Sequence, residues 1–162
     1  MSDDHRPYAL IPLVEVPVET IDHLLEKAFD GTGVWTLWLA ERDYAGAPKK
    51  VPQKIGEGNR PPTRKDYKSP LVGKKVEDAA AWLWDKPRNI DLNEHFFGVW
   101  DRGAAEKGEI VVCRVGGKEL DDPTQLDCVR MDMLTGASSM RGGGLYWFDE
   151  ALENRGRACM RY

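Results

Sequence analysis

The residues best placed to do chemistry lie between Leu134 and Gly156, in "LTGASSMRGGGLYWFDEALENRG". Three successive glycines, Gly142, Gly143 and Gly144, follow Arg141 and precede a stretch in which Leu145, Phe148, Ala151 and Leu152 recur at helical spacing. The first amides of a helix lack partners and carry the positive end of its dipole, so a glycine-rich entry would let a phosphate approach them. Arg141 would add a bidentate fork, and Ser138 and Ser139 would add hydroxyl donors. The stretch has neither the Lys-Ser/Thr ending of a P-loop nor the spacing of a dinucleotide fingerprint. It therefore defines an anion site at Ser138, Ser139, Arg141, Gly142, Gly143 and Gly144, against the alternative of a plain loop ahead of a helix.

The second candidate is electrostatic. The 162-residue chain has a net charge of −4, yet the segment from Lys49 to Lys75 sets nine basic residues against Glu57 and Asp66, a net +7 that leaves −11 on the rest. Within it, Lys49, Lys50, Lys54, Arg60, Arg64, Lys65, Tyr67 and Lys68 form a partner-binding surface that suits an acidic protein, or a nucleic acid whose bases stack on Tyr67. A solvated charge run is the competing reading. Other groups carry less. Glu119, Asp121, Asp122, Asp127 and Asp132 are carboxylates of the kind that hold Mg²⁺, but Asp121 and Asp122 are what a turn selects. Cys113, Cys128 and Cys159 are three thiols with no CxxC spacing. No convergent catalytic set is displayed, so the sequence reads as a binding protein before an enzyme, with no metal and no cofactor implied.

Positioning these residues requires a framework. "YALIPLVEVP" is β-rich, and Pro12, which cannot donate to a ladder, argues for a strand at the rim of a sheet. Val18, Ile21, Leu24, Leu25, Ala28 and Phe29 line one face of a helix that Gly31 would end as a left-handed cap. "VWTLWL", Val34 to Leu39, is apolar nearly throughout and reads as a central strand covered on both faces. Residues 45–70, with five prolines and no sustained periodicity, form one long basic loop. "VEDAAAWLWD" is a short helix stopped by Pro87. In "DLNEHFFGVW" the pair Asp91 and Glu94 matches a capping box, which predicts a helix burying Leu92, Phe96 and Val99 or Trp100. "EIVVCRV" and "QLDCVRMDM" flank the turn formers of "GGKELDDPT" and make an antiparallel hairpin that brings Cys113 and Cys128 close. Six tryptophans include the close pairs Trp35/Trp38 and Trp82/Trp84, of which one member each is expected at the surface.

"IDHLLEKAFDGTGVWTLWL" resembles the opening of a family of small phage and prophage proteins of unknown function, in which a helix ends in an Ala, acidic, Gly-rich turn and leads into an aromatic strand. The matching positions are Ile21, Asp22, Leu24, Leu25, Ala28, Gly31 and Trp35. Where the family has a second glycine directly after the first this chain has Thr32, and Thr36 follows Trp35 in place of a tyrosine. The resemblance implies an accessory protein of a phage or mobile element and no particular chemistry.

Together these readings predict a single α+β domain over residues 1–162, with a mixed or antiparallel sheet, three to four helices and the long basic loop at 45–70. The start "MSDDHRPYAL" has no basic, apolar export pattern and the cysteines are sparse, which points to the cytoplasm. The longest apolar runs fall far short of the ~20 residues that span a bilayer, so no membrane is expected. The function expected is to bind and modulate, as an inhibitor, a host protein such as a defence or nucleic-acid-handling factor. The alternative is a small nucleotide- or phosphate-binding protein using the turn from Arg141 to Gly144. A nucleic acid and a second copy of the chain stay open as partners.

Overall fold

A computed structural model of the protein describes residues 6–49, 58–142 and 147–162. Its elements run β1 (Tyr8–Pro12), α1 (Val18–Thr32), β2 (Leu37–Leu39), a 3₁₀ turn (Arg42–Tyr44), α2 (Val76–Trp84), β3 (Phe96–Trp100), α3 (Arg102–Lys107), β4 (Glu109–Gly116), β5 (Asp122–Asp132), α4 (Met133–Gly142) and α5 (Trp147–Arg155). The strands form one mixed sheet in the order β2-β1-β3-β4-β5. β1 is parallel to β2 and β3, whereas β4 is antiparallel to both β3 and β5. The fold is α+β, with five α-helices among the described residues where three to four were expected.

The chain leaves β1 through α1 to reach β2 on one side, then returns through α2 to β3 on the other. Right-handed crossovers in opposite directions put their helices on opposite faces of the sheet. Tyr8 and Leu10 face α4, and the Tyr8 hydroxyl donates to the Met140 carbonyl at 2.7 Å. Trp38, opposite Ala9, faces the other way and stacks on Trp82 of α2 with ring centroids 6.1 Å apart. Trp84 of the same helix is 46% exposed, as the crowding of these rings predicts.

Four local expectations are corrected. β1 is interior, because Pro12 stands last in it and its missing N–H would point toward β2 beyond Leu39, where no ladder bond is due. The alternation fixes this side: Tyr8 N–H and Leu10 C=O bond to Thr36 and Ala40, while Leu13 N–H turns to Trp100. "VWTLWL" is buried on both faces but forms the edge of the sheet. That edge is closed by backbone bonds from Gly58 to Trp35 and from Asn59 to Leu37, at 2.9 and 2.7 Å. The stretch from Asp91 to Trp100 is no helix. The Asn93 side chain accepts from the amides of His95 and Phe96 and turns the chain into β3, whose inner residues are fully buried between β1 and β4. The cap of α1 is Gly33, at φ 73°, two residues later than expected.

Gly31 has a different task. α1 and α4 cross there, and a methyl group on Gly31 would lie 2.6 Å from the Leu134 carbonyl oxygen, so only glycine lets the two backbones approach. Gly142, near the end of α4, has nothing within 4 Å of the same construction. Gly31→Ala is expected to cost about 1–3 kcal/mol in chemical denaturation, and Gly142→Ala to cost nothing.

The C-terminal residues are tied back through Asp101, the fully buried N-cap of α3. Its carboxylate accepts from Ala104 N at 2.8 Å, from Arg130 at 2.9 and 2.6 Å, and from Arg161 N at 2.9 Å. Burial pushes this carboxyl up, but the Arg130 hydrogen bonds, with those of Ala104 and Arg161, outweigh burial and hold it below its ordinary value. A carboxyl depressed in the folded state adds stability above its unfolded pKa, near ~4, which is lost as the pH falls through the folded value. Asp101→Asn should therefore cost about 3 kcal/mol at pH 7, leaving Arg130 poorly paired, and denaturation curves of the two proteins should converge as the pH drops below ~4.

Candidate functional site

At the carboxyl ends of β1 and β2 the outgoing segments diverge, one into α1 and the other toward α2 on the opposite face. A crevice outside the carboxyl ends of parallel strands, at such a switch point, is where open α/β sheets receive ligands. Here it measures about 670 Å³ and is bounded by two segments, residues 14–19 and residues 65–72.

The first wall continues β1. After Leu13, whose carbonyl accepts from Gly73 N at 2.9 Å, the chain bends and runs into α1 with alternating exposure. Val14, Val16 and Val18 are half-buried, while Glu15, Pro17 and Glu19 are exposed. Pro17 then opens α1, its carbonyl taking the Ile21 amide at 3.0 Å.

The second wall is the later half of the basic loop, and side-chain bonds hold it to the body. Thr63 donates its amide and hydroxyl to Asp22 of α1 at 2.8 and 2.6 Å. Arg64 pairs with Glu41 at 2.8 Å and with Asp66 at 3.0 Å. The Tyr67 hydroxyl donates to the Ala40 carbonyl at 2.7 Å, and Ser69 to the Pro12 carbonyl at 2.6 Å. Burial, and after it the charge of Glu41, push the Tyr67 phenol above its ordinary value, so it is a neutral donor at any physiological pH. Its ring packs in part against the core and its hydroxyl is committed, which sets it in the wall of the crevice.

The side chains left over face solvent at the crevice. Lys65 and Lys68 are exposed on one wall, Glu15 and Glu19 on the other, and none of the four forms an ion pair among the described residues. Val72 is 39% exposed between them. Of the partner-binding residues named from the sequence, Lys65, Tyr67 and Lys68 meet here. Arg60 is exposed earlier on the same segment, and Arg64 is engaged with Glu41. Lys49 lies elsewhere: it bridges Ile90, next to the Asp91 amide that bonds Pro48, at the amino ends of the parallel strands. Lys50 and Lys54 lie outside the described residues.

The anion-site stretch takes a form not expected from the sequence. Ser138, Ser139, Arg141 and Gly142 are no loop but the last turns of α4, capped at its start by Asp132, which accepts from the Thr135 amide and hydroxyl, each at 2.8 Å. A helix presents carbonyls and the negative end of its dipole at that terminus, so α4 itself supplies no amides to an anion; those expected to do so lie ahead of α5. Gly143, Gly144 and Leu145 lie outside the described residues. Three of the acidic residues, Asp122, Asp127 and Asp132, make structural bonds. Asp127 is buried between Arg114 and Arg157, Asp122 bonds Thr124, and no metal-binding cluster occurs among the described residues.

No protein-family model, curated protein or solved structure was found to match the chain.

The crevice divides cleanly into residues that build it and residues that face out of it. Ser69→Ala leaves the buried Pro12 carbonyl without its donor and is expected to cost about 1–3 kcal/mol. Lys65→Ala with Lys68→Ala should stay within about 0.5 kcal/mol of the parent in the same denaturation experiment.

Proposed function

We propose that the protein acts by binding: the crevice receives an extended segment of a protein partner, and in this way the chain modulates, as an inhibitor, a host factor of the phage or mobile element that carries it. The observation that carries this reading is the pattern of the two walls. Half-buried valines line the first wall beside two glutamates, across from two lysines on the second, and none of the four charges is paired among the described residues. Glu15 and Glu19 repel a polyanion, which argues against nucleic acid or a nucleotide. A peptide segment answers both walls by directing an acidic side chain to Lys65 and Lys68 while laying apolar side chains over Val14, Val16 and Val72. The origin in a phage or mobile element rests on the resemblance at Ile21, Asp22, Leu24, Leu25, Ala28, Gly31 and Trp35; Asp22 is also the residue to which Thr63 of the crevice wall is tied.

The test is capture of a partner from bacterial lysate, followed by titration of the purified pair. Val16→Asp with Val72→Asp, and separately Lys65→Glu with Lys68→Glu, are expected to weaken binding at least tenfold, the charged pair in a salt-dependent manner. Arg141→Ala should bind as the parent does. Unchanged affinity in both crevice variants would contradict the proposal. A nucleotide-dependent rise in melting temperature that Arg141→Ala abolishes would favour the anion-site alternative instead.

A further inference from the structure

Cys113 of β4 and Cys128 of β5 are direct partners in the antiparallel ladder, and their sulfurs lie 3.3 Å apart. The Cys128 carbonyl accepts from the Ala158 amide at 2.8 Å, on the side away from β4. The main-chain groups of Cys128 therefore point outward, which makes the two cysteines a non-hydrogen-bonded pair, the kind whose Cα atoms approach to ~4.5 Å and whose side chains come closest. That separation falls within the range of disulfides, and the sulfurs need move only about 1.3 Å to reach bonding distance. Each thiol has a single weak contact to give up: Cys128 donates to Cys113, and Cys113 to the Val111 carbonyl at 3.7 Å.

We propose that Cys113 and Cys128 are an oxidation site, a dithiol that a peroxide converts into a cross-strand disulfide. This is independent of the crevice. Cys113 is fully buried and Cys128 is 9% exposed, so Cys128 is the entry point. Its sulfur attacks one oxygen of hydrogen peroxide; the O–O bond breaks, an S–O bond forms, and the thiol proton leaves with the departing oxygen as water. The Cys113 sulfur then attacks the sulfenic sulfur. The S–S bond forms, the S–O bond breaks, and the hydroxide released takes the Cys113 proton as a second water. Two thiols lose two electrons and one peroxide gains them. Burial, together with the neighbouring Cys128, raises the Cys113 thiol well above its ordinary value, so the reaction should quicken as the pH rises.

The product closes the hairpin where the C-terminal residues rest on it. Ala158 hangs from Cys128, and the Cys159 carbonyl accepts from Arg130 two residues along β5, at 3.0 Å. Oxidation thus fixes β4, β5 and that tail as one unit.

The experiment treats the reduced full chain carrying Cys159→Ser, which removes the exposed thiol, with hydrogen peroxide, then denatures, alkylates and maps it by mass spectrometry beside the untreated protein. The expected result is a mass lower by about 2 Da, no alkylation at Cys113 or Cys128, and a linked peptide joining them. The melting temperature should rise by about 5 °C or more and return on reduction. The wild-type chain should give the same linked peptide. Alkylation of both residues after peroxide treatment, oxygen added to one sulfur without linkage, or a wild-type link from Cys159 to either cysteine would overturn the proposal.

Discussion

Strand β1 has a parallel neighbour on each side, and the chain reaches them by opposite routes. The right-handed twist of strands requires right-handed crossovers, so the step to β2 sends α1 to one face and the return to β3 sends α2 to the other. Two consequences follow. The core forms in two layers around Leu10, Ile11, Val99 and Val112, all fully buried. The segments leaving β1 and β2 cannot stay together, and the gap between them is the crevice. Its presence is a property of the topology, while its chemistry is set by the few side chains that the walls leave unpaired.

The walls also answer a problem that the topology creates. β2 is short and ends the sheet, so its outward amides and carbonyls need partners. The residues that begin the second wall supply them, with Gly58 and Asn59 bonding Trp35 and Leu37 before the chain proceeds to Asp22, Ala40 and Pro12. The same segment therefore seals an edge, receives the Pro12 carbonyl and presents Lys65 and Lys68. Prolines and a shortage of apolar residues made it read as a long loop, and its described residues are held by hydrogen bonds to distant residues, which leave no periodicity in a sequence.

Elements with strong local patterns were legible for the same reason in reverse. α1 announces itself through a stripe from Val18 to Phe29, and the β4–β5 hairpin through apolar runs around a turn, so both Cys113 and Cys128 were paired correctly. β3 was misread because Asp91 and Glu94 stand at capping-box spacing, yet burial between two strands overrides a local cap. α4 was missed because Gly136, Ser138, Ser139 and Gly142 lower its helix propensity. The signal was present in Asp132 as an N-cap and in Met133, Ala137 and Met140 at spacings of four and three, and its glycines serve packing: Gly136 sits under Ile110. Of the crevice, the sequence offered its basic residues but not the valine wall across from them. The alternation of Val14, Val16 and Val18 with Glu15 and Glu19 was visible, but only the divergence of the two crossovers gives it a place to face.

Hydrogen exchange on the chain with and without its captured partner tests the central claim most directly, since it reads every backbone segment at once. The account predicts slowed exchange at residues 13–19 and 65–72, with residues 133–142 unchanged. Protection confined to α4, or lying away from both walls, would contradict it.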